Sequence, residues 1–257
     1  MDLQLKGRTA LVTGGSRGIG FGIAKLLAAE GCNVHIASRN AADLEAARGK
    51  IVADHPVKVT CHALDLAVPE NATKLAHDCG DIDILINNAG AIPLGSITDF
   101  DDKSWRAGWE LKLFGYINLA REVYRGMRER RRGVIINVIG GSGERPSDGY
   151  IAGSMGNAAL ITMSRGVGAE SPKFGVRIIG VNPSATATDR GIERWRNMAQ
   201  KNFGDPERWS ELTKNMPFGR PASVEEVSNV VVFFASDRAS YVSGSVVSVD
   251  GGSAWRK

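Results

Sequence analysis

The chain has 257 residues, of which 43% are hydrophobic and 23% charged. This balance predicts a folded globular protein with an apolar core and excludes an intrinsically disordered chain. The formal net charge of +4 is not gathered into a tail, and the densest basic run, Arg128 to Arg132, is typical of a solvated helix end rather than of a nucleic-acid site.

The three cysteines, Cys32, Cys61 and Cys79, form no CxxC pair, and an odd number cannot all pair within one chain. A reducing compartment fits this usage. The chain starts without an apolar signal core, and no stretch approaches the roughly 18 apolar residues of a membrane span. We therefore expect a cytoplasmic protein with neither a membrane nor a nucleic acid as partner.

Short β-branched runs alternate with helical patterns along the chain, which is typical of βαβ units in a parallel sheet. Several runs are continuously apolar, as in strands covered by helices on both faces. The sequence thus predicts an α/β, Rossmann-type doubly wound parallel sheet of about seven strands flanked by helices. The predicted strands are Thr9 to Val12, Val34 to Ala37, Val57 to His62, Ile84 to Ile86, Val134 to Val138, Arg177 to Val181 and Val246 to Val249.

No internal repeat or linker interrupts this pattern, so we predict one domain spanning residues 1–257. One segment, residues 185–217, departs from the alternation and reads as a helical, lid-like insertion over the site. It carries Trp195, Phe203, Trp209 and Met216, which indicate either an apolar or aromatic ligand or a contact between subunits.

A glycine-rich turn, Thr13-Gly14-Gly15-Ser16-Arg17-Gly18-Ile19-Gly20, joins the first predicted strand to the first predicted helix. Glycines there let the backbone turn tightly and approach a pyrophosphate, which the free N–H groups and the dipole of the helix N-terminus attract. Such a match is weak alone, but its place at the first βα turn predicts a dinucleotide site.

The spacing TGxxxGxG in this turn resembles that of the short-chain dehydrogenase/reductase family. Further matches follow in order: Asp65 after the third strand, Asn87 to Gly90 after the fourth, Asn182-Pro183 after the sixth, and Val249 to Gly252 near the end. The resemblance covers essentially the whole chain. It implies hydride transfer between a nicotinamide cofactor and an alcohol or carbonyl compound, in a homotetramer. The positions it assigns to the cofactor are Gly14, Ser16, Arg17, Gly18, Ile19, Gly20, Arg39, Asp65, Leu66, Asn88, Ala89, Gly90, Pro183 and Thr188.

The choice of cofactor depends on the end of the second strand. An acidic residue there would bind the ribose of NAD and repel a 2′-phosphate, but this chain has Ser38 and then Arg39. Together with Arg17 in the glycine turn, Arg39 suits a phosphate dianion. NADP is therefore the predicted cofactor. NAD is the alternative, with Arg39 stacked on the adenine and indifferent to the phosphate.

The catalytic pattern of the family is not retained. The family uses a Tyr, a Lys four residues later, a Ser at the end of the fifth strand and an Asn on the fourth helix. Here Gly140 stands at the Ser position, with Ser142 two residues later, and Lys112 stands at the Asn position.

The Tyr-x-x-x-Lys motif can be aligned in two ways. Taking Tyr150 as the Tyr puts Ser154 at the Lys position. An alignment on the helix, which needs no gap, puts Gly153 at the Tyr and Asn157 at the Lys, and leaves Tyr150 about one turn earlier.

Two hypotheses follow. In the first, the site has been rebuilt, with Tyr150 supplying the hydroxyl, Lys112 the ammonium that lowers the pKa of the phenol, and Ser142 a further polar group. In the second, the chain is a dinucleotide-binding sensor or subunit with little turnover, and Lys112 only forms a salt bridge, for instance with Glu110 or Asp148. The four histidines show no metal-ligand spacing, so no metal is predicted.

Overall fold

Seven parallel strands form one sheet in the computed structural model, which describes residues 1–90 and 92–256. The strands are β1 (Thr9–Thr13), β2 (Asn33–Ser38), β3 (Val59–Ala63), β4 (Ile84–Asn87), β5 (Gly133–Val138), β6 (Val176–Pro183) and β7 (Val246–Val249). Their order across the sheet is β3-β2-β1-β4-β5-β6-β7, and every pairing is parallel. The predicted fold is confirmed. The chain reverses its direction of winding between β1 and β4, where such sheets bind ligands.

Helices cover both faces of the sheet. They are α1 (Gly18–Ala29), α2 (Ala41–Asp54), α3 (Pro69–Cys79), α4 (Asp102–Trp109), α5 (Gly115–Arg130), α6 (Ile151–Glu170), α7 (Asp189–Phe203), α8 (Trp209–Thr213) and α9 (Val224–Ala235). A π-helical turn, Glu110–Phe114, joins α4 to α5. None of the described helices is long and apolar enough to cross a membrane.

Strand side chains alternate between two apolar clusters, one on each face. Val12 and Ile36 pack with residues of α1, α2 and α9, whereas Leu11 and Leu85 pack with residues of α3 and α5. Burial of each such side chain contributes roughly 1.5–3 kcal/mol. Because helices cover both faces of the sheet, the central strands have continuously apolar sequences.

The segment 185–217 is helical, as predicted, and consists mainly of α7 and α8. Its aromatic residues make local contacts: the rings of Trp195 and Trp209 stack with centroids 5.9 Å apart. Thr188 begins the segment's first helix by accepting a hydrogen bond from the backbone N–H of Gly191. This cap fixes the start of α7 above the carboxyl ends of the strands.

Candidate active site

A groove with a volume of about 330 Å³ lies at the switch point of the sheet. It contains eleven of the fourteen residues that the sequence assigns to the cofactor. They are Gly14, Ser16, Arg17, Gly18, Ile19, Arg39, Leu66, Asn88, Ala89, Gly90 and Thr188.

The glycine turn has the backbone shape that a pyrophosphate site needs. Gly14 and Gly18 have φ values of +63° and +56°, which side chains seldom adopt. Arg17, the N-cap of α1, makes no side-chain capping hydrogen bond, so the first N–H groups of the helix are available to an anion. The Thr13 hydroxyl accepts hydrogen bonds from the backbone N–H groups of Asn88 and Ala89, which ties β1 to the turn after β4.

Three predicted cofactor residues do not line the groove. Gly20 has a packing role, because a Cβ there would lie 2.2 Å from the carbonyl oxygen of Gly14. Asp65 shapes the turn after β3 by accepting a hydrogen bond from the backbone N–H of Ala67. Pro183 pairs with Val249 as the last residue of β6. These three residues therefore support the elements around the groove and do not line it.

The end of the groove at β2 is basic. Arg17, Ser38 and Arg39 line it, and the Ser38 hydroxyl is buried with no hydrogen-bond partner among the described residues. The carboxylate of Asp65 lies close to Arg39, with Nη1 4.0 Å from Oδ2. An unpartnered hydroxyl and two guanidiniums in one groove fit a phosphate on the adenosine ribose.

A second cavity, of about 910 Å³, adjoins the groove and shares Gly90, Thr188 and Arg190 with it. Lys112 and Tyr150 both line this cavity, so the structure brings these two predicted residues to one space. Ser142 does not line it. The Ser142 hydroxyl instead accepts a hydrogen bond of 2.8 Å from the side-chain amide of Asn157.

The ring of Tyr150 occupies the space that a side chain at position 153 would enter. A Cβ built on Gly153 would lie 2.0 Å from Cζ of the Tyr150 ring. Helix α6 begins at Ile151, so Tyr150 is its N-cap and not part of the helix proper. Glycine at 153 is therefore what allows a phenol from one turn earlier to fill this place.

The backbone and packing at position 140 explain why β5 is followed by Gly140 and not by the serine of the family pattern. Its φ of +128° lies in a region that favours glycine, and a Cβ there would lie 3.0 Å from the amide nitrogen of Asn157. The Asn157 side chain donates to Ser142, and its Oδ1 atom is buried without a partner among the described residues. Gly140 and the side-chain amide of Asn157 thus pack against each other.

Lys112 is held by neutral oxygens. Its ammonium donates to the backbone carbonyl of Val138 at 2.9 Å and to the Tyr116 hydroxyl at 3.1 Å, and that hydroxyl also donates to Val138. The residue is only 8% exposed, and burial lowers the pKa of Lys112 to about 7. Within residues 1–90 and 92–256 no carboxylate forms an ion pair with Lys112, so the expected alternative of a salt bridge to Glu110 or Asp148 is wrong.

The charge acting on Tyr150 differs from the expected one. Burial raises the pKa of Tyr150, and the opposing influence comes from the guanidinium of Arg190. Lys112, bonded to Val138 and Tyr116, does not lower the pKa of Tyr150 as the sequence led us to expect. Arg190 lies in the first turn of α7 and lines both cavities, which sequence reasoning missed. The sequence signal that could have identified Arg190 is its position two residues after Thr188, which the sequence had assigned to the cofactor site.

The aromatic residues of the insertion line neither cavity. Trp195, Phe203 and Trp209 lie outside both linings, and Met216 borders a separate cavity beside Pro217 and Val249. The sequence argument for an apolar or aromatic ligand therefore loses its basis. Beyond Arg190, the residues of the groove that sequence reasoning missed are Ala37, Ser38, Leu64, Leu111 and Asp189.

Comparison with known proteins places this geometry in a family. Residues 8–199 match the family model described as short chain dehydrogenase. The chain belongs to the short-chain dehydrogenase family. It is 33% identical over 255 residues to the NADPH-dependent reductase BacG of Bacillus subtilis, covering 96% of this chain and 97% of that protein. It is also 33% identical to the L-xylulose reductase of Bos taurus over 254 residues, covering 98% of each.

Among solved structures, the L-sorbose reductase of Gluconobacter frateurii, complexed with NADPH and L-sorbose, superposes with a TM-score of 0.95. The two chains are 32% identical, and each is covered over 100% of its length. The similarity therefore extends over the whole chain, including the segment 185–217.

Proposed function

We propose that this short-chain dehydrogenase family member is an oxidoreductase that transfers hydride between NADP(H) and an alcohol or carbonyl substrate, with Tyr150 as its proton donor and acceptor. The observation that carries the proposal is the Tyr150 ring in the space left by Gly153, at the edge of the cavity that adjoins the cofactor groove. A phenol in that place retains the reactive group of the family although its sequence position has moved.

NADP is preferred over NAD on the charge of the groove. Arg17 and Arg39 can form charge-assisted hydrogen bonds with a 2′-phosphate, and no acidic residue lies at the end of β2 to bind an unmodified ribose. The NADPH-dependent relatives support the same choice.

The bound coenzyme supplies or accepts the hydride, and the side chains of the chain manage the proton. In the reduction direction the Tyr150 hydroxyl binds the carbonyl oxygen and donates its proton as the alkoxide develops. The guanidinium of Arg190 stabilises the phenolate that remains, since it is the charge that opposes the effect of burial on the pKa of Tyr150.

Lys112 serves as the second proton carrier of the cavity. It donates two hydrogen bonds, to Val138 and Tyr116, which a neutral amine can also make, so its remaining position is free to carry a proton or a lone pair. With a pKa of about 7, it exchanges that proton readily near neutral pH. Ser142 accepts a hydrogen bond from Asn157 and does not line the cavity, so it is given no part in the proton transfer.

The substrate proposed is small, polar and hydroxylated. The cavity beside Tyr150 is lined by Ser147, Arg190 and Arg194 as well as by apolar side chains. Two of the three named relatives, an L-xylulose reductase and an L-sorbose reductase, support this class of substrate. We further propose that residues 185–217 act as a lid, because Thr188, Arg190 and Arg194 reach the cavity from this segment.

The assembly proposed is a cytoplasmic homotetramer. The proposal of a tetramer rests on family membership. The proposal of a cytoplasmic location rests on the three cysteines, which are all free thiols. Sedimentation equilibrium tests the first point, with four chains per particle as the expected result.

The test of function measures NADPH consumption with a panel of ketoses, hydroxyketones and apolar ketones. Turnover should be highest with a hydroxylated substrate and lower with NADH than with NADPH. The competing function, a dinucleotide-binding protein without turnover, predicts that NADPH binds and is not consumed with any member of the panel.

A further inference from the structure

Three potential metal ligands lie together away from both cavities. His35 on β2, His62 on β3 and Cys79 at the end of α3 place their ligand atoms within 4.8 Å of one another. The Nδ1 atom of His35 is 2.8 Å from Nε2 of His62, and the Cys79 sulfur is 3.5 Å from that same Nε2 atom. The two imidazole planes lie within 19° of each other.

The Nε2 atom of His62 can make one in-plane hydrogen bond but has two polar neighbours. Nε2 of His62 has either one proton or one lone pair in the plane of its ring. Both His35 and Cys79 approach that single atom. A proton between the two nitrogens joins His35 to His62 and leaves the Cys79 sulfur with only a contact of 3.5 Å, whereas a cation between the three groups would give each ligand atom a lone-pair contact of its own.

The distances are close to those of a zinc site. Tetrahedral geometry with Zn–N of about 2.0–2.1 Å and Zn–S of about 2.3 Å requires about 3.3 Å between two nitrogens and about 3.6 Å between nitrogen and sulfur. The spacing of 3.5 Å between His62 and Cys79 already fits. The spacing of 2.8 Å between the histidines would have to open by about half an ångström, and both rings would have to turn so that their lone pairs converge on one ion.

The protonation states suit a neutral donor pair. Burial lowers the pKa of His35 to about 4, with His62 and Lys58 acting in the same direction. The pKa of His62 is also lowered by burial, although the nearby Asp78 opposes this and Lys74 assists it. Burial raises the pKa of the Cys79 thiol to about 12, so an entering metal ion must displace the thiol proton into solvent.

We propose that His35, His62 and Cys79 form a Zn²⁺ site that joins the edge strand β3 and its neighbour β2 to the end of α3. Nitrogen and thiolate ligands favour zinc over Mg²⁺ or Ca²⁺, and three protein ligands leave one position for water. No metal was expected from the sequence, since the three ligands come from three separate elements and show no short spacing. This inference does not depend on the proposed enzymatic function.

The test uses the untagged full-length protein and Co²⁺ as a spectroscopic substitute for Zn²⁺. We expect one equivalent of Co²⁺ to give tetrahedral ligand-field bands and a thiolate-to-metal charge-transfer band, both lost on addition of Zn²⁺. One equivalent of Zn²⁺ should also raise the Tm, because it binds the folded chain preferentially.

Variants and matched controls identify the ligands. Cys79→Ser should abolish the charge-transfer band, and His35→Gln should weaken binding of Co²⁺ by at least about tenfold. Two control variants should leave the charge-transfer band and the binding of Co²⁺ unchanged. They are Cys61→Ser, at a half-buried cysteine on the same strand as His62, and His77→Gln, at an exposed histidine of α3. The proposal is overturned if the wild-type protein gives no charge-transfer band, or if the band survives Cys79→Ser or disappears in Cys61→Ser. Because the wild-type spectrum alone can refute the site, a variant that fails to fold does not leave it undecided.

Discussion

At the scale of single residues, the proposed site has its phenol and its amine at positions other than those of the family pattern. The phenol at position 150 stands where a side chain at 153 would begin, and a lysine at 112 is buried beside the same cavity. Tyr150→Phe should therefore reduce turnover by about 10² or more without weakening cofactor binding, since only the transferable proton is removed. Steady-state kinetics with NADPH titration measures both quantities. Near wild-type turnover in this variant would refute the role of Tyr150.

Lys112 and Tyr150 are predicted to belong to one proton path across the cavity that both line, although Lys112 is bonded to Val138 and Tyr116 and does not lower the pKa of Tyr150. Lys112→Met should also lower turnover by about 10², and the double variant should lose little beyond either single one. Two residues acting independently would instead give the product of the two losses. A double-variant cycle on kcat distinguishes the outcomes, with circular dichroism as the control for folding.

Arg190 should set the pH dependence of the reaction. Alcohol oxidation requires the deprotonated phenol, and the guanidinium of Arg190 lowers the pKa of Tyr150 against the effect of burial. Arg190→Gln should move the ascending limb of the pH profile for kcat to higher pH. At pH values below that limb, the rate should fall roughly tenfold for every pH unit by which the midpoint moves. Arg190→Lys should restore part of the original midpoint. A profile whose height changes but whose midpoint stays fixed would assign Arg190 to binding alone.

Arg39 should control the choice between the two coenzymes. Arg39→Asp replaces a charge that attracts the 2′-phosphate with one that repels it, so the Kd for NADP should rise by at least about tenfold more than the Kd for NAD. Calorimetric titration of both nucleotides gives the comparison. Equal losses would indicate that Arg39 only stacks on the adenine.

At the scale of elements, the start of α6 decides where the phenol stands. Gly153→Ala would put a methyl group 2.0 Å from the Tyr150 ring and push the ring out of its place, so turnover should fall by about 10². Gly166→Ala is the matched control on the same helix, because a Cβ there meets nothing within 4 Å. It should retain activity and gain up to about 1 kcal/mol of stability from helix propensity. Equal activity in the two variants would show that the position of the ring does not matter.

The sequence predicted the strands and the glycine turn because their signals are local. Apolar runs such as Val134 to Val138 and the glycines between β1 and α1 show their roles without tertiary context. The sequence placed Tyr150 near position 153 on the condition that the helix extends back to Tyr150, whereas α6 begins at Ile151 and the ring reaches that place from the N-cap. The partner of the phenol was not anticipated, because Arg190 reaches the cavity from α7, and sequence spacing says nothing of contacts between separate elements.

The π-helical turn explains why the partners of Lys112 also differ from those predicted. It inserts Lys112 between α4 and α5, where the lysine bonds to the end of β5 instead of to a carboxylate. A regular helical pattern through Trp105, Trp109 and Lys112 predicted the inward face and not these partners. π-helical turns of this kind occur often at functional sites, but their position is not encoded in hydrophobic periodicity.

At the scale of the whole molecule, the buried Lys112 should make the stability of the fold depend on pH. The pKa of this residue is about 7 in the folded chain and 10.5 in an exposed lysine, so between these values the unfolded chain binds a proton that the folded chain does not. The free energy of unfolding should therefore rise with pH across this window, by at most about 1.4 kcal/mol per pH unit from this group. Lys112→Met removes the contribution, so the variant should be more stable than the wild type at pH 7, with the difference shrinking towards pH 10. Urea unfolding of both proteins at several pH values measures this difference, in which the contributions of other titrating groups cancel. Lys103→Met, at an exposed lysine of α4, is the control and should leave the pH dependence of stability unchanged. A constant difference between Lys112→Met and the wild type across the window would mean that the buried lysine keeps its charge, and it would remove Lys112 as a proton carrier near neutral pH.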